Sequence, residues 1–423
     1  MFFWVFESRN DPSRDPVILW LTGGPGASSI AFGALDELGP CVSRETDDET
    51  GGLVHNPYSW NSNATVIFVD QPLDVGYSYG KRRVRNLEEA INDLYAFLDR
   101  LFIAKPEWGE RDFYVAGESY GGSWVPAIAA RIQRMRTSPL ARVAASVTAR
   151  RPESSINLKG ILVGNGLLNQ AVQRRGFYEM GCTGSTTILS ASVCTQIAEA
   201  GPRCELLEAA CEASGFDRSV CDVSDKWCQA NGWFPIRQTP WFPYDVRINC
   251  TATPEKCVSP PPGIVSWLDD PVVREGLGID AGFGTAHPSS RTIFEDFTAS
   301  GEVGYPSHPW VTELLDAGVR VLIYAGNKDW LCSSPGMLHF VDSLEWHGHA
   351  QFRAKTPQPV HAPASTNKGV TLGGGSTERT LWGHHKSHSL LSFMEIEEAG
   401  HLVPKDQPEV ALAMLNYWIA GEL

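Results

Sequence analysis

Five short apolar runs, each followed closely by glycine or proline, constrain this chain more than any other feature. Val17-Ile18-Leu19-Trp20-Leu21 stops at Gly23-Gly24-Pro25-Gly26, and Thr65-Val66-Ile67-Phe68-Val69 stops at Asp70-Gln71-Pro72. Phe113-Tyr114-Val115-Ala116 stops at Gly117, the run 158–163 stops at Gly164-Asn165-Gly166, and the run 319–324 precedes Gly326. Runs this short, without polar alternation, suit strands buried on both faces. Between them, residues 87–102 carry apolar side chains at helical spacing, a helix is expected from Gly121, and 410–419 form the body of a last helix. Strand and helix alternate, so the expected fold is α/β, with a mainly parallel central sheet covered by helices. Residues 1–6 read as a strand already under way and not as a signal peptide, so a processed or truncated N-terminus is expected.

The alternation breaks near Gly166. Residues 167–262 are cysteine-rich, hold eight of the ten cysteines and end in Pro260-Pro261-Pro262. They read as an irregular insertion stapled by disulfides, dividing the α/β core into 1–166 and 263–423. The cysteine spacings do not repeat the CxxC pairs of a zinc ribbon, and local disulfides in an oxidising compartment fit better. Two sequons, Asn63-Ala64-Thr65 and Asn249-Cys250-Thr251, agree with that compartment. A net charge of −14 carries no overall basic footprint for nucleic acid. No run approaches the roughly 20 apolar residues of a membrane-spanning helix. Residues 137–155 and 356–389 read as poorly ordered loops. The second holds His384-His385-x-x-His388, whose spacing resembles a metal site, but its Gly/Ser/Thr-rich setting favours a solvated loop. No metal or cofactor is expected.

The chemistry centres on Gly117-Glu118-Ser119-Tyr120-Gly121. A G-x-S-x-G sequence between a strand and a helix places the serine on a sharp turn with its hydroxyl exposed. The bland alternative is an ordinary glycine turn. A serine hydroxyl needs a base, and the base needs an orienting carboxylate. The α/β-hydrolase order is Ser, then Asp or Glu, then His. Asp329 follows the strand ending at Tyr324, and His401 follows the apolar stretch 390–396. Both thus stand beyond the carboxyl ends of strands, where ligands bind in open α/β sheets. Asp329 could instead cap a helix and His401 could be a loop histidine, but their order and placement together favour a triad. A glycine in Gly23-Gly24-Pro25-Gly26 can present a bare N–H to an oxyanion, or can simply make a turn.

Several motifs, in order, carry a resemblance. Trp20-Leu21-Thr22-Gly23-Gly24-Pro25-Gly26-Ala27-Ser28-Ser29, Glu37-Leu38-Gly39-Pro40, Asn56-Pro57-Tyr58-Ser59-Trp60-Asn61, Asp70-Gln71-Pro72, Gly117-Glu118-Ser119-Tyr120-Gly121-Gly122, Gly164-Asn165-Gly166-Leu167 and Gly400-His401-Leu402-Val403-Pro404 resemble the serine carboxypeptidase family over nearly the whole chain. The resemblance implies an α/β-hydrolase fold with a disulfide-rich cap, and removal of C-terminal residues from peptides and proteins at acidic pH. Ser119 would be the nucleophile, His401 the base and Asp329 its partner, with Gly24 and Tyr120 supplying oxyanion N–H groups. Trp20, Thr22, Gly23, Glu37 and Glu118 match the site for the substrate's terminal carboxylate, and Leu331, Cys332 and Leu402 the pocket. Cys332 matches a free thiol. The implied disulfides are Cys182–Cys194, Cys204–Cys228, Cys211–Cys221 and Cys250–Cys257, and Cys41 has no implied partner. Thr22 departs from the family's usual asparagine, whose amide has more reach than a hydroxyl. The resemblance points to the secretory pathway, either vacuole or lysosome or the cell exterior, and leaves room for a proteinaceous inhibitor. Acyl transfer to an acceptor other than water, or a non-catalytic protective role, are the competing readings.

Overall fold

The computed structural model describes residues 1–43, 52–137, 156–184, 188–233, 236, 239–250, 257, 260, 262–280, 282–363 and 380–423. Its centre is a nine-stranded sheet. In chain order the strands are β1 (Phe3–Phe6), β2 (Val17–Leu21), β3 (Thr65–Val69), β4 (Phe113–Glu118), β5 (Leu158–Gly164), β6 (Arg320–Gly326), β7 (Gln358–His361), β8 (Leu381–His388) and β9 (Leu391–Ile396). Their order across the sheet is β1-β3-β2-β4-β5-β6-β9-β8-β7. The neighbours from β3 through β9 pair parallel, and antiparallel strands flank them: β1 on one edge, β8 and β7 on the other.

The parallel strands read as continuous apolar runs because both of their faces are covered. All five residues of β2 and of β3 are buried. Alternate side chains feed two cores: Val17, Leu19 and Leu21 on one face, Ile18 and Trp20 on the other. The first core is closed by α1 (Leu87–Ala104) and α2 (Gly121–Thr137). In α1, Leu87, Ala90, Ile91, Leu94, Leu98 and Phe102 form the buried stripe. Asn86 caps that helix by accepting from Glu89 N, and Glu88 and Glu89 add negative charge where the helix dipole is positive. The second core is closed by the C-terminal helix Pro408–Ala420, through Val410, Met414 and Trp418.

Three expectations need correction. The cysteine-rich stretch is largely helical, not irregular: α3 (Ala191–Ala213) and α4 (Arg218–Cys228) occupy much of it. Its periodicity is hard to read because α3 buries only Ile197, Ala200 and Cys204. Covalent links do work there that an apolar stripe does elsewhere. Cys204–Cys228 and Cys211–Cys221 tie α3 to α4, and Cys182–Cys194 and Cys250–Cys257 complete the four implied pairs. Such cross-links act mainly by restricting the unfolded chain. Cys41 and Cys332 are free. Second, the stretch 356–389 is not one loop, since β7 and β8 lie within it; residues 364–379 are outside the described residues. Third, His384, His385 and His388 therefore sit on a strand. That strand looks polar in sequence because it is next to last at the sheet edge and only partly covered. The other expected loop, 137–155, lies outside the described residues beyond Thr137, which ends α2. Among the described residues, no helix is long and apolar enough to cross a membrane.

Candidate active site

The sheet changes direction between β2 and β4. From β2 the chain proceeds to β3 on one side, while β4 and β5 build outward on the other. Loops leaving the carboxyl ends of β2 and β4 diverge there, and in open α/β sheets this crevice is where ligands bind.

Ser119 stands on the turn between β4 and α2 with φ +57°, the left-handed region that few non-glycine residues adopt. The turn is stitched to the segment after β5: Ser119 N donates to Gly164 O (3.1 Å) and Leu167 N donates to Ser119 O (2.7 Å). Neighbouring backbones come very close. A Cβ on Gly117 would fall 2.3 Å from Leu21 O, and one on Gly23 would fall 2.4 Å from Tyr120 N. Only glycine at 23 lets the loop after β2 lie against the serine turn. Gly24, Ser119 and Tyr120 consequently line one cavity, together with Leu331 and Cys332. Leu402, expected at the pocket, is not among the residues lining it; this residue leads into the helical turn Val403–Asp406, where its carbonyl accepts from Lys405 N (3.1 Å).

Asp329 and His401 arrive on the loops after β6 and β9, which are parallel neighbours. His401 Nδ1 lies 2.7 Å from Asp329 Oδ2, and both residues are buried. The other groups that reach the Asp329 carboxylate are all donors. Asn165 Nδ2 reaches Oδ2 at 2.8 Å, Cys332 N reaches Oδ2 at 3.2 Å, and Leu331 N reaches Oδ1 at 2.9 Å. A carboxylate so surrounded keeps the imidazole hydrogen on Nδ1 and leaves the Nε2 lone pair available. His401 Nε2 is buried and has no hydrogen-bond partner among the described residues. Cys332 offers its sulfur within 4.8 Å of ligand atoms of both Asp329 and His401. Burial, reinforced by the Asp329 charge, pushes its thiol well above the usual range. The group is held as a neutral thiol and not a thiolate.

Trp20, Thr22, Glu37 and Glu118 are all buried. Trp20 Nε1 donates to Thr22 Oγ1 (2.9 Å), so the threonine hydroxyl keeps its own hydrogen for another acceptor. Neither Glu37 oxygen, nor Glu118 Oε2, is served by an amide, hydroxyl or amine of the described residues. The two carboxyls interact with one another. Burial holds both above the ordinary carboxyl range; mutual repulsion raises Glu118 further, and the nearby Asp36 adds to the effect on each. Asp36 is itself gripped by Lys405 at 3.0 Å.

Four supporting residues escaped functional reading in the sequence. Asn165 accepts from Gly326 N (3.1 Å) as well as donating to Asp329, so it ties the β5 loop to the β6 loop. Asp70 accepts from Ser28 Oγ (2.6 Å) and from Tyr77 N (3.2 Å), bracing the loop after β2; burial pushes it up to about 6. Both occur in motifs quoted above, and their polar character at strand ends is the signal that was there to read. Lys405 had no such signal, and neither did Tyr244. Tyr244 comes from the cysteine-rich stretch, sets its ring edge-on to His401 at 4.7 Å, and accepts from His401 N (2.8 Å). Asn63 and Asn249 are both exposed, whereas Thr251 of the second sequon lies outside the described residues.

Comparison with known proteins places this geometry in context. Residues 1–421 match the family model for serine carboxypeptidase. Carboxypeptidase Y homolog A of Arthroderma gypseum is 36% identical over 425 residues, covering 100% of this chain and 72% of that protein. The vacuolar serine-type carboxypeptidase ATG42 of Saccharomyces cerevisiae is 36% identical over 427 residues, covering 99% and 76%. Among solved structures, the prohormone-processing carboxypeptidase Kex1(delta)p of Saccharomyces cerevisiae superposes with a TM-score of 0.80 over 99% of this chain and 86% of its own. At 21% identity that likeness is one of fold.

Proposed function

Since this chain belongs to the serine carboxypeptidase family and is a peptide-bond hydrolase of that kind, we propose that it removes C-terminal residues through Ser119, His401 and Asp329 by way of an acyl-enzyme. The observation that carries this reading is the His401 Nδ1–Asp329 Oδ2 contact of 2.7 Å, grouped with Cys332, which lines the same cavity as Ser119 on its left-handed turn. His401 Nε2 takes the Ser119 proton as the hydroxyl attacks the last peptide carbonyl, then delivers it to the leaving amino acid. Water repeats the sequence in reverse on the ester. The backbone N–H groups of Gly24 and Tyr120 receive the oxyanion. Asp329 stabilises the imidazolium that forms in between. Residues 167–262 act as a cap over this centre, contributing Tyr244 against His401. The substrate is a peptide or protein with a free C-terminus, met in an acidic compartment of the secretory pathway.

Glu37 and Glu118 supply the reason for the acidic preference. A protonated carboxyl donates a hydrogen bond to the substrate carboxylate, and an ionised one repels it. Because both are held above the ordinary range, the proton stays through the acid region and is lost as pH rises. Losing one hydrogen bond to a charged group costs about 1.5–3 kcal/mol, so KM for a free-acid peptide should rise roughly tenfold or more between about pH 5 and pH 8. Glu118→Gln, a donor at every pH, should flatten that rise. Esters and amides of the same peptide should lack it. Equal KM profiles for free acid and amide would remove the glutamates from substrate recognition.

Protein stability should move in the same direction. A carboxyl whose folded pKa is raised binds more protons folded than unfolded above about pH 4.5, so its contribution is complete below that point and fades as pH rises through the folded value. Glu37 (about 8), Asp70 (about 6) and Glu208 (about 7) share this sign. The melting temperature should therefore be highest in the acid range and fall by several degrees toward pH 8. A melting temperature that climbs over that window would contradict the assigned shifts.

Cys332 should be a bystander to the chemistry. Cys332→Ser is expected to lower kcat/KM by no more than about threefold, since the thiol makes no bond that appears only in the transition state. It should also abolish inhibition by organomercurials, which place a bulky group on the cavity wall. A thiol found in a disulfide by non-reducing peptide mapping would refute this placement.

A further inference from the structure

A second cavity adjoins the one beside Ser119. The first, of about 340 Å³, is walled by Leu167, Phe177, Val303 and Leu331, and suits the side chain just before the scissile bond, P1. The second, of about 390 Å³, lies in the cap among α3, α4 and the segment 300–308. Gln170 and Arg174 line both. Along the chain Val303 faces the first while Glu302 and Gly304 face the second, so the partition is one side chain thick.

The partition is tightly built. Arg174 donates to Glu208 Oε1 (2.6 Å), Asp225 Oδ1 (2.5 Å) and Gln170 Oε1 (2.7 Å), with only 10% of its side chain exposed. One guanidinium thus serves two carboxylates. Around the second cavity as a whole, six carboxylate side chains face three arginines. Burial pushes Glu208 up to about 7, so in acid the surplus rests on the more exposed carboxylates. Glu212 among these has no Lys or Arg partner among the described residues. Phe216 and Tyr305 add an aromatic wall, with ring centroids 5.4 Å apart. Carboxylates beside aromatic rings are the surroundings that suit a cationic head on an apolar stem.

We propose that this cavity is a subsite for a lysine or arginine side chain at P3 of the peptide substrate, two residues upstream of P1. The inference rests on the first cavity being the P1 pocket. In an extended peptide, P1 and P3 point to the same side about 7 Å apart, the spacing needed to straddle a partition one side chain thick. P2 points away from both. Recognition here is by charge and stem packing, and it is independent of the residue removed.

The test compares matched tetrapeptides that differ only by Lys or Ala at P3 or at P2, at pH 5 and low salt. Lys at P3 should raise kcat/KM at least about threefold over Ala, the scale of one exposed ion pair. Lys at P2 should not. Glu212→Lys should bring the Lys/Ala ratio at P3 to one or below. Raising salt to 1 M should do the same in the unaltered enzyme, because exposed charges are then screened. The ratio is read within each enzyme, so a general loss of activity does not affect it. A P3 ratio near one in the unaltered enzyme, a gain confined to P2, or a P3 gain that survives both Glu212→Lys and high salt would each overturn the assignment. Failure to cleave any of the four peptides would instead count against the carboxypeptidase mechanism itself.

Discussion

Replacing Ser119 by alanine is expected to reduce peptide hydrolysis by roughly 10⁴–10⁶-fold, the usual result of removing the nucleophile from a working triad. The loss should fall on kcat, since Ser119 Oγ makes its decisive bond in the transition state and not in the bound substrate. The fold should survive. The turn is held by backbone contacts, Ser119 N to Gly164 O and Leu167 N to Ser119 O, and alanine can keep both. The melting temperature is the control for this. A fluorophosphonate should label the unaltered protein at Ser119 and leave the alanine variant unlabelled. Turnover in purified Ser119→Ala within tenfold of the parent would end the serine-hydrolase assignment of this residue.

Asp329→Asn is expected to cost about 10³–10⁴-fold in kcat, for a different reason. Four donors converge on this carboxylate: His401 Nδ1, Asn165 Nδ2, and the backbone N–H groups of Leu331 and Cys332. An amide must turn its NH₂ toward some of them. Facing Leu331 N, it retains the imidazole tautomer but removes the charge that steadies the imidazolium. Facing His401, it also forces the ring hydrogen onto Nε2, where the base is needed. Either way the substituted residue is left with a buried donor opposing a donor, so a modest drop in melting temperature should accompany the lost rate. The double variant Ser119→Ala/Asp329→Asn should be no slower than Ser119→Ala alone, because the two residues act as one unit. A rate for Asp329→Asn within threefold of the parent would show that another group orients His401.

The same residues mark where sequence reading succeeds and where it stops. Strand runs such as Val17–Leu21 were legible because burial on both faces removes every polar residue from the run, and that pattern needs no partner to be recognised. The serine turn was legible because its demands are local: a residue forced to φ +57° and small neighbours where Gly117 meets Leu21 O. The helices of the cysteine-rich stretch were not. Their few buried positions leave no periodic stripe, and disulfides supply much of the constraint. Strands β7 and β8 were missed because a partly solvated edge tolerates the glycines, serines and histidines that otherwise signal a loop.

By itself, then, the sequence determined whatever depends on residues a few positions apart: the alternating strands and helices, the serine turn, and the order in which a carboxylate and a histidine could follow it. The tertiary structure alone decided which side chains touch across long separations. It set Asp329 against His401, Asn165 between two loops, Tyr244 of the cysteine-rich stretch against the His401 ring, and Arg174 between two cavities. The physical reason is that backbone conformation is chosen by nearest neighbours, whereas a buried polar contact exists only once packing has excluded water and fixed both partners within hydrogen-bond reach.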